Sequence, residues 1–156
     1  MSTVPRQCVM DAGVLIKYFV PEAETAFVQQ ILSDLLSDDH AIIYVPDLLY
    51  IECANVLWKK VQRGEIDVQT AEENIADLIA MELSTTPLSE LAARAVRLAC
   101  DHKISAYDAS YLALAERLSV PLLTADARLA NLLANTAHVV ITLASLILPV
   151  QGVSGN

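Results

Sequence analysis

The sequence predicts an α/β fold with three layers, in which a central parallel sheet of four to five strands is covered by helices on both faces. Two observations lead there. Short apolar runs alternate with stretches of helical periodicity along the whole chain, the pattern of strand–helix–strand units. The run Val120 to Leu123 has no polar alternation, as expected of a strand buried on both faces rather than half exposed. A length of 156 residues suits one domain, assigned to residues 1–150 with a flexible tail at 151–156, and allows a sizeable core.

The elements follow in order. Gln7 to Met10 is a short first strand, closed by Asp11-Ala12-Gly13, and Val14 to Phe19 begins a helix that Pro21 stops. Glu22 to Leu36 is amphipathic, with Ala26, Val28, Ile31, Leu32, Leu35 and Leu36 facing inward, and Ser37 to His40 is a polar loop. Ala41 to Val45 is the second strand, and Asp47 is placed to cap the next helix. From Leu48 to Trp58 almost every residue is apolar, which predicts a buried helix; Glu52 and Asn55 stand out on one face, with Lys59 a turn further. Lys59, Lys60 and Arg63 complement the helix C-terminus before Gly64. Ile66 to Met81 is a further amphipathic helix, through Val68, Ala71, Ile75, Leu78 and Ile79. Glu82 to Pro87 is a short strand or crossing segment, Ser89 caps a helix to Cys100, and Asp101-His102-Lys103 is a polar turn. Ser105, with Asp108 three residues on, starts a helix to Leu118 in capping-box fashion. Thr124-Ala125-Asp126 ends the Val120–Leu123 strand, Arg128 to Ala134 is a short helix, and His138 to Leu143 is the last strand.

Composition narrows the function. A hydrophobic fraction of 54% rules out a disordered chain, and the net charge of −9 argues against a surface that coats nucleic acid generally. The N-terminus lacks an apolar signal region, and the apolar stretch near Val139 to Val150 is too short to span a bilayer. Three scattered cysteines, Cys8, Cys53 and Cys100, read as reduced core thiols of a cytoplasmic protein. Four glycines, at positions 13, 64, 152 and 155, leave no phosphate loop or nucleophile elbow, and no His or Cys spacing suits zinc. A phospho-acceptor switch would need paired acids after the first strand and a Lys after the last, and the chain has neither.

The remaining chemistry is oxygen-only. Asp11 and Asp126 each follow a strand, so a parallel sheet brings both to its carboxyl edge, where open α/β sheets keep their ligands. Glu52 lies in an apolar helix and Asp108 in a helix's first turn, with Thr124 and Asn55 nearby. Taken singly, most of these acids have a structural role as caps; together they make a set of hard donors suited to Mg²⁺ or Mn²⁺.

The stretches VMDAGVLIKYF, PDLLYIECANVLW, SAYDASYLALAE and PLLTADARL resemble, in order, the motif blocks of the PIN domain, and more narrowly those of VapC-type toxins of type II toxin–antitoxin operons. The resemblance implies a PIN-like fold and a metal-dependent endoribonuclease acting on single-stranded RNA. It implies that Asp11, Glu52, Asp108 and Asp126 hold Mg²⁺, with Mn²⁺ as substitute, and that Thr124 and Asn55 support them. Lys17, Lys59 and Arg128 are the candidates for phosphate contacts. A homodimer and a cognate antitoxin covering the groove are implied as partners, with no membrane. Gly13 departs from the family, which often has Ser or Thr there. That departure leaves a catalytically weak binding module as an alternative, beside an RNA-processing nuclease outside any toxin–antitoxin pair.

Overall fold

A computed structural model describes residues 4–147. The elements are β1 (Gln7–Met10), α1 (Ala12–Leu15, continued by a 3₁₀ turn Ile16–Tyr18), α2 (Thr25–Leu36), β2 (Ile42–Pro46), α3 (Leu48–Gln62), α4 (Val68–Ala80), β3 (Ser84–Thr86), α5 (Ala92–His102), α6 (Ala106–Leu118), β4 (Leu122–Thr124), α7 (Ala127–Leu133), β5 (Val140–Thr142) and α8 (Leu143–Ile147). The five strands form one sheet in the order β3-β2-β1-β4-β5, and every pairing is parallel. The expected fold class is therefore observed.

Strand alternation explains the two helical layers. On β1, Cys8 and Met10 point to one face and Val9 to the other; on β4, Leu123 and Leu122 divide the same way. One core joins Met10, Leu15, Leu32, Val45, Leu49 and Leu123, under α1 to α3. The other joins Val9, Leu98, Leu112, Leu114, Leu122 and Leu129, under α5 to α7. The chain starts mid-sheet at β1, builds outward to β3, then returns to place β4 on the opposite side of β1. The switch point between β1 and β4 is where such sheets open a crevice at their carboxyl ends.

Local boundaries differ from the periodicity reading in informative places. The second helix begins at Thr25 rather than Glu22, because the Thr25 hydroxyl binds the Val20 carbonyl and the Glu22 amide, holding the intervening chain in a turn. Ala26 and Leu36 are exposed, so its inward stripe is Val28, Ile31, Leu32 and Leu35. Asp47 does not cap α3; its carboxylate accepts the Leu88 amide at 3.0 Å, tying the β2–α3 corner to the chain after β3. Ser89 is no N-cap either, since it lies within a 3₁₀ turn and α5 begins at Ala92. That helix runs through Asp101 and His102 and ends at Lys103 in the left-handed region, with φ 55°. His102 is half-buried, edge-on to His138. The last strand stops at Thr142, whose hydroxyl accepts the Ser145 amide and so starts α8 at Leu143.

The largest correction concerns α3 and α4. The helix from Leu48 to Trp58 is not buried all round: Ile51 is 67% and Trp58 55% exposed. On α4, Leu78 alone is fully buried, and Val68 and Ile79 are exposed. The two helices pack on each other and leave apolar residues in solvent, which composition cannot foresee. Cys8 and Cys53 are buried, and burial pushes both thiols up to about 12, but Cys100 is exposed and so is no core thiol. The expected tail at 151–156 lies outside the described residues.

Leu123 is fully buried on a central strand. Leu123→Ala is expected to cost about 2–5 kcal/mol in urea denaturation, the range for a core leucine that leaves a cavity.

Candidate active site

The register of β1 and β4 pairs Met10 with Leu123, so Asp11 and Thr124 leave the sheet side by side. The Asp11 amide donates to the Leu123 carbonyl at 3.1 Å. Its carboxylate is then held at both oxygens: the Thr124 hydroxyl donates to Oδ2, and the Val14 amide donates to Oδ1 at 3.0 Å. Asp11 thus caps α1 as an ordinary N-cap would, and Thr124 points it across the switch point. The same Thr124 hydroxyl accepts the Asp126 amide at 2.9 Å. Asp126 in turn caps α7, with Oδ1 accepting the Arg128 and Leu129 amides at 2.9 and 3.1 Å. One fully buried hydroxyl links the two strand-end acids.

Asp108 comes from the first turn of α6, which Ser105 caps by accepting the Asp108 amide at 3.0 Å. It lines a small cleft of about 120 Å³ with Ser105, Asp126, Arg128 and Lys103. Glu52 comes from α3 and is half-buried. It borders an open groove of about 640 Å³ with Leu48, Ile51, Asn55, Trp58 and Tyr107.

These acids are near enough to feel one another's charge. Burial pushes the Asp11 carboxyl up to about 6, against the hydrogen bonds from Thr124, Val14 and Ala125, and the Asp108 charge raises it further. Burial also raises Glu52, opposed by the Tyr111 hydroxyl and reinforced by the charges of Asp108 and Asp11. Asp108 is raised by burial first, and by the charge of Asp126; Ser105 and Arg128 pull it back. Arg128 offsets part of the charge at Asp108. The structure therefore brings together Asp11, Glu52, Asp108, Asp126 and Thr124. No three His, Cys, Asp or Glu side chains among the described residues close on one point at metal-ligand distance, so the acids are neighbours that repel one another and not a preformed cage.

The other expected residues divide. Asn55 and Lys59 are exposed on α3, and Asn55 shares the groove with Glu52. Arg128 lies at the Asp108–Asp126 cleft. Lys17 is not free for a phosphate, because its Nζ is paired with Glu22 and Glu24 at 2.8 and 2.9 Å. A Cβ at Gly13 would meet Asp11 Oδ1 at 3.3 Å, so a side chain there would press on that carboxylate. Tyr111 is buried and sets its hydroxyl against Glu52. Its position three residues after Asp108, on the same helix face, was the signal available for it.

An acid cluster at the switch point of a five-stranded parallel sheet is the arrangement of a carboxylate-based nuclease fold. The chain belongs to the PIN domain family, whose pattern matches residues 8–133. It is 32% identical over 125 residues to Ribonuclease VapC3 of Pyrobaculum aerophilum, covering 79% of this chain and 92% of that protein. It is 34% identical over 126 residues to Ribonuclease VapC1 of Mycobacterium tuberculosis, covering 80% of this chain and 89% of the relative. Solved structures agree on the fold. The PAE2754 protein of P. aerophilum superposes with a TM-score of 0.64 at 21% identity, covering 94% of this chain and 90% of that one. A chain of a toxin–antitoxin complex from Klebsiella pneumoniae gives a TM-score of 0.60 at 19% identity, covering 86% and 96%. VapC20 of M. tuberculosis, a toxin that cleaves the sarcin–ricin loop, gives 0.62 at 11%, covering 80% and 93%.

The raised Asp11 carboxyl has a signed consequence for stability. Its folded value, about 6, lies above its ordinary 3.8, so the folded state holds the proton more tightly than the unfolded chain does. That contribution is full below about pH 3.8 and is lost as the pH rises through about 6. At neutral pH without metal, Asp11→Asn is expected to raise stability by about 1–3 kcal/mol in urea denaturation in EDTA. The gap between variant and wild type should narrow as the pH is lowered toward 4.

Proposed function

We propose that this protein is a metal-dependent endoribonuclease that cleaves phosphodiester bonds of single-stranded RNA, and that it is the toxin of a toxin–antitoxin pair. The observation that carries the reading is the cluster of Asp11, Glu52, Asp108 and Asp126, in which burial and mutual repulsion raise three of the carboxyls and Arg128 offsets part of the charge at Asp108. The named relatives, ribonucleases over most of their length, support it.

A divalent cation fits this donor set. The ligands are carboxylate oxygens, the kind that Mg²⁺ and Mn²⁺ favour, and Glu52 Oε1 is enclosed without a hydrogen-bond partner. Mg²⁺ is commonly held by one or two carboxylates with water filling its shell, which suits neighbouring acids that do not form a closed cage. Asp11 and Asp108 would hold the ion directly, with Glu52 and Asp126 as further ligands or as acceptors that orient its waters. The bound ion supplies a water of lowered pKa and stabilises charge developing on the phosphodiester. Thr124 keeps the Asp11 carboxylate aimed at the crevice. Arg128 stands where a phosphate beside Asp108 and Asp126 would be neutralised, and Asn55 and Lys59 flank the path along α3. Gly13 does not leave Asp11 without donors, since Thr124 and the Val14 amide hold both oxygens. That favours an active enzyme over a weak binding module. The exposed apolar residues of α3 and α4, Ile51, Trp58, Val68 and Ile79, offer a surface for a cognate antitoxin and for a second copy of the chain.

The test is cleavage of a labelled single-stranded RNA pool with Mg²⁺, Mn²⁺ or EDTA. Cleavage should require metal and should fall by at least about 100-fold in Asp108→Asn, and metal should raise the melting temperature of the wild type. No cleavage by a folded, metal-stabilised wild type would sink the reading.

A further inference from the structure

Among the described residues, two buried side-chain atoms have no hydrogen-bond partner: Oε1 of Glu52 and the hydroxyl of Tyr111. Buried polar atoms are nearly always paired, and each exception calls for an explanation. These two explain each other. They come from different helices, Glu52 from α3 and Tyr111 from α6, and they lie against one another. A phenol is a donor and an ionised carboxylate only accepts, so the pair is complementary, yet it stops short of hydrogen-bond geometry in the structure. Only Oε1 of the two Glu52 oxygens is both enclosed and unpaired, and the residue borders the open groove.

Tyr111 is well placed to control that carboxylate. It is 3% exposed, so its ring is fixed by the packing around it. It follows Asp108 by three residues on the same helix, so one rigid element carries both the acid and the hydroxyl. The charges of Glu52 and Asp11 both reach it, which places it beside the cluster and not in the remote core. If packing were its whole role, the hydroxyl would be a buried polar group with nothing to do.

We infer that Tyr111 is a positioning residue for Glu52: its hydroxyl donates a hydrogen bond to Oε1 of the ionised carboxylate and thereby turns Oε2 toward the metal cleft. This rests on the reading of the acid cluster as a metal site. A cation in the cleft favours the ionised form of Glu52, and the ionised form is the stronger acceptor, so metal and hydroxyl stabilise the same arrangement. No proton moves between the two groups.

The experiment measures Mn²⁺ binding to the full chain without RNA, with free Mn²⁺ followed by electron paramagnetic resonance, for wild type, Tyr111→Phe, Glu52→Gln and the double variant. Tyr111→Phe removes the hydroxyl alone. It should weaken Mn²⁺ binding by about tenfold, while its melting temperature in EDTA stays at or above that of the wild type. In the Glu52→Gln background, Tyr111→Phe should weaken binding no further, because the hydroxyl acts through that carboxylate. Wild-type affinity in Tyr111→Phe, fully additive losses in the double variant, or a melting temperature lowered in EDTA would each overturn the inference while leaving the metal site standing. A wild type that binds no Mn²⁺ would overturn the metal-site reading and this inference with it.

Discussion

The pairing of β1 with β4 is the constraint on which the rest of the molecule depends. Those strands are more than a hundred residues apart in sequence, yet their parallel register sets Asp11 beside Thr124 at the switch point of the sheet. Leu122 and Leu123 feed opposite cores from this one short strand, so the same contact joins both helical layers. Moving the register by one residue would exchange their faces and carry Thr124 away from Asp11.

From that contact, charge organises the site. Each acid has a local reason to be where it is. Asp11 and Asp126 cap helices, Asp108 lies in the first turn of another, and Glu52 stands on the helix that leaves β2. Local roles make each position tolerable, and their convergence makes the whole costly, since burial and neighbouring charges raise Asp11, Glu52 and Asp108 together. A fold that concentrates like charges in this way is less stable than it could be, and a cation that binds there recovers that stability. The overall charge of −9 is compatible with the proposed RNA substrate on the same ground, because a bound metal ion would reverse the local field that a phosphate meets.

The outer helices carry a different tension. Helix α3 presents Glu52 to the cluster on one side and Ile51 and Trp58 to solvent on another. Helix α4 packs mainly on α3 and keeps Val68 and Ile79 exposed. Ile51 and Trp58 line the same open groove as Glu52, so a partner that covered them would also cover that acid.

Much of this was legible in the sequence. Short apolar runs between periodic segments were enough for a parallel sheet covered on both faces, because backbone hydrogen bonding and burial leave few other arrangements for that pattern. Strand-end positions pointed to Asp11 and Asp126, and an isolated charge in an apolar helix pointed to Glu52. Sequence spacing could not say which strands are neighbours, and hence that a Thr on β4 would hold an Asp on β1. It counted Ile51 and Trp58 as core, because apolar character shows what can be buried but not whether another element arrives to bury it. It offered Lys17 for phosphate contact, whereas the turn after α1 pairs it with Glu22 and Glu24. It gave no sign that the Tyr111 hydroxyl faces Glu52. Periodicity and residue chemistry are local properties, and the sequence by itself determined the fold class and the acids. Strand order, the partners of each polar atom and the faces left uncovered depend on contacts between distant segments, and those only the tertiary structure decided.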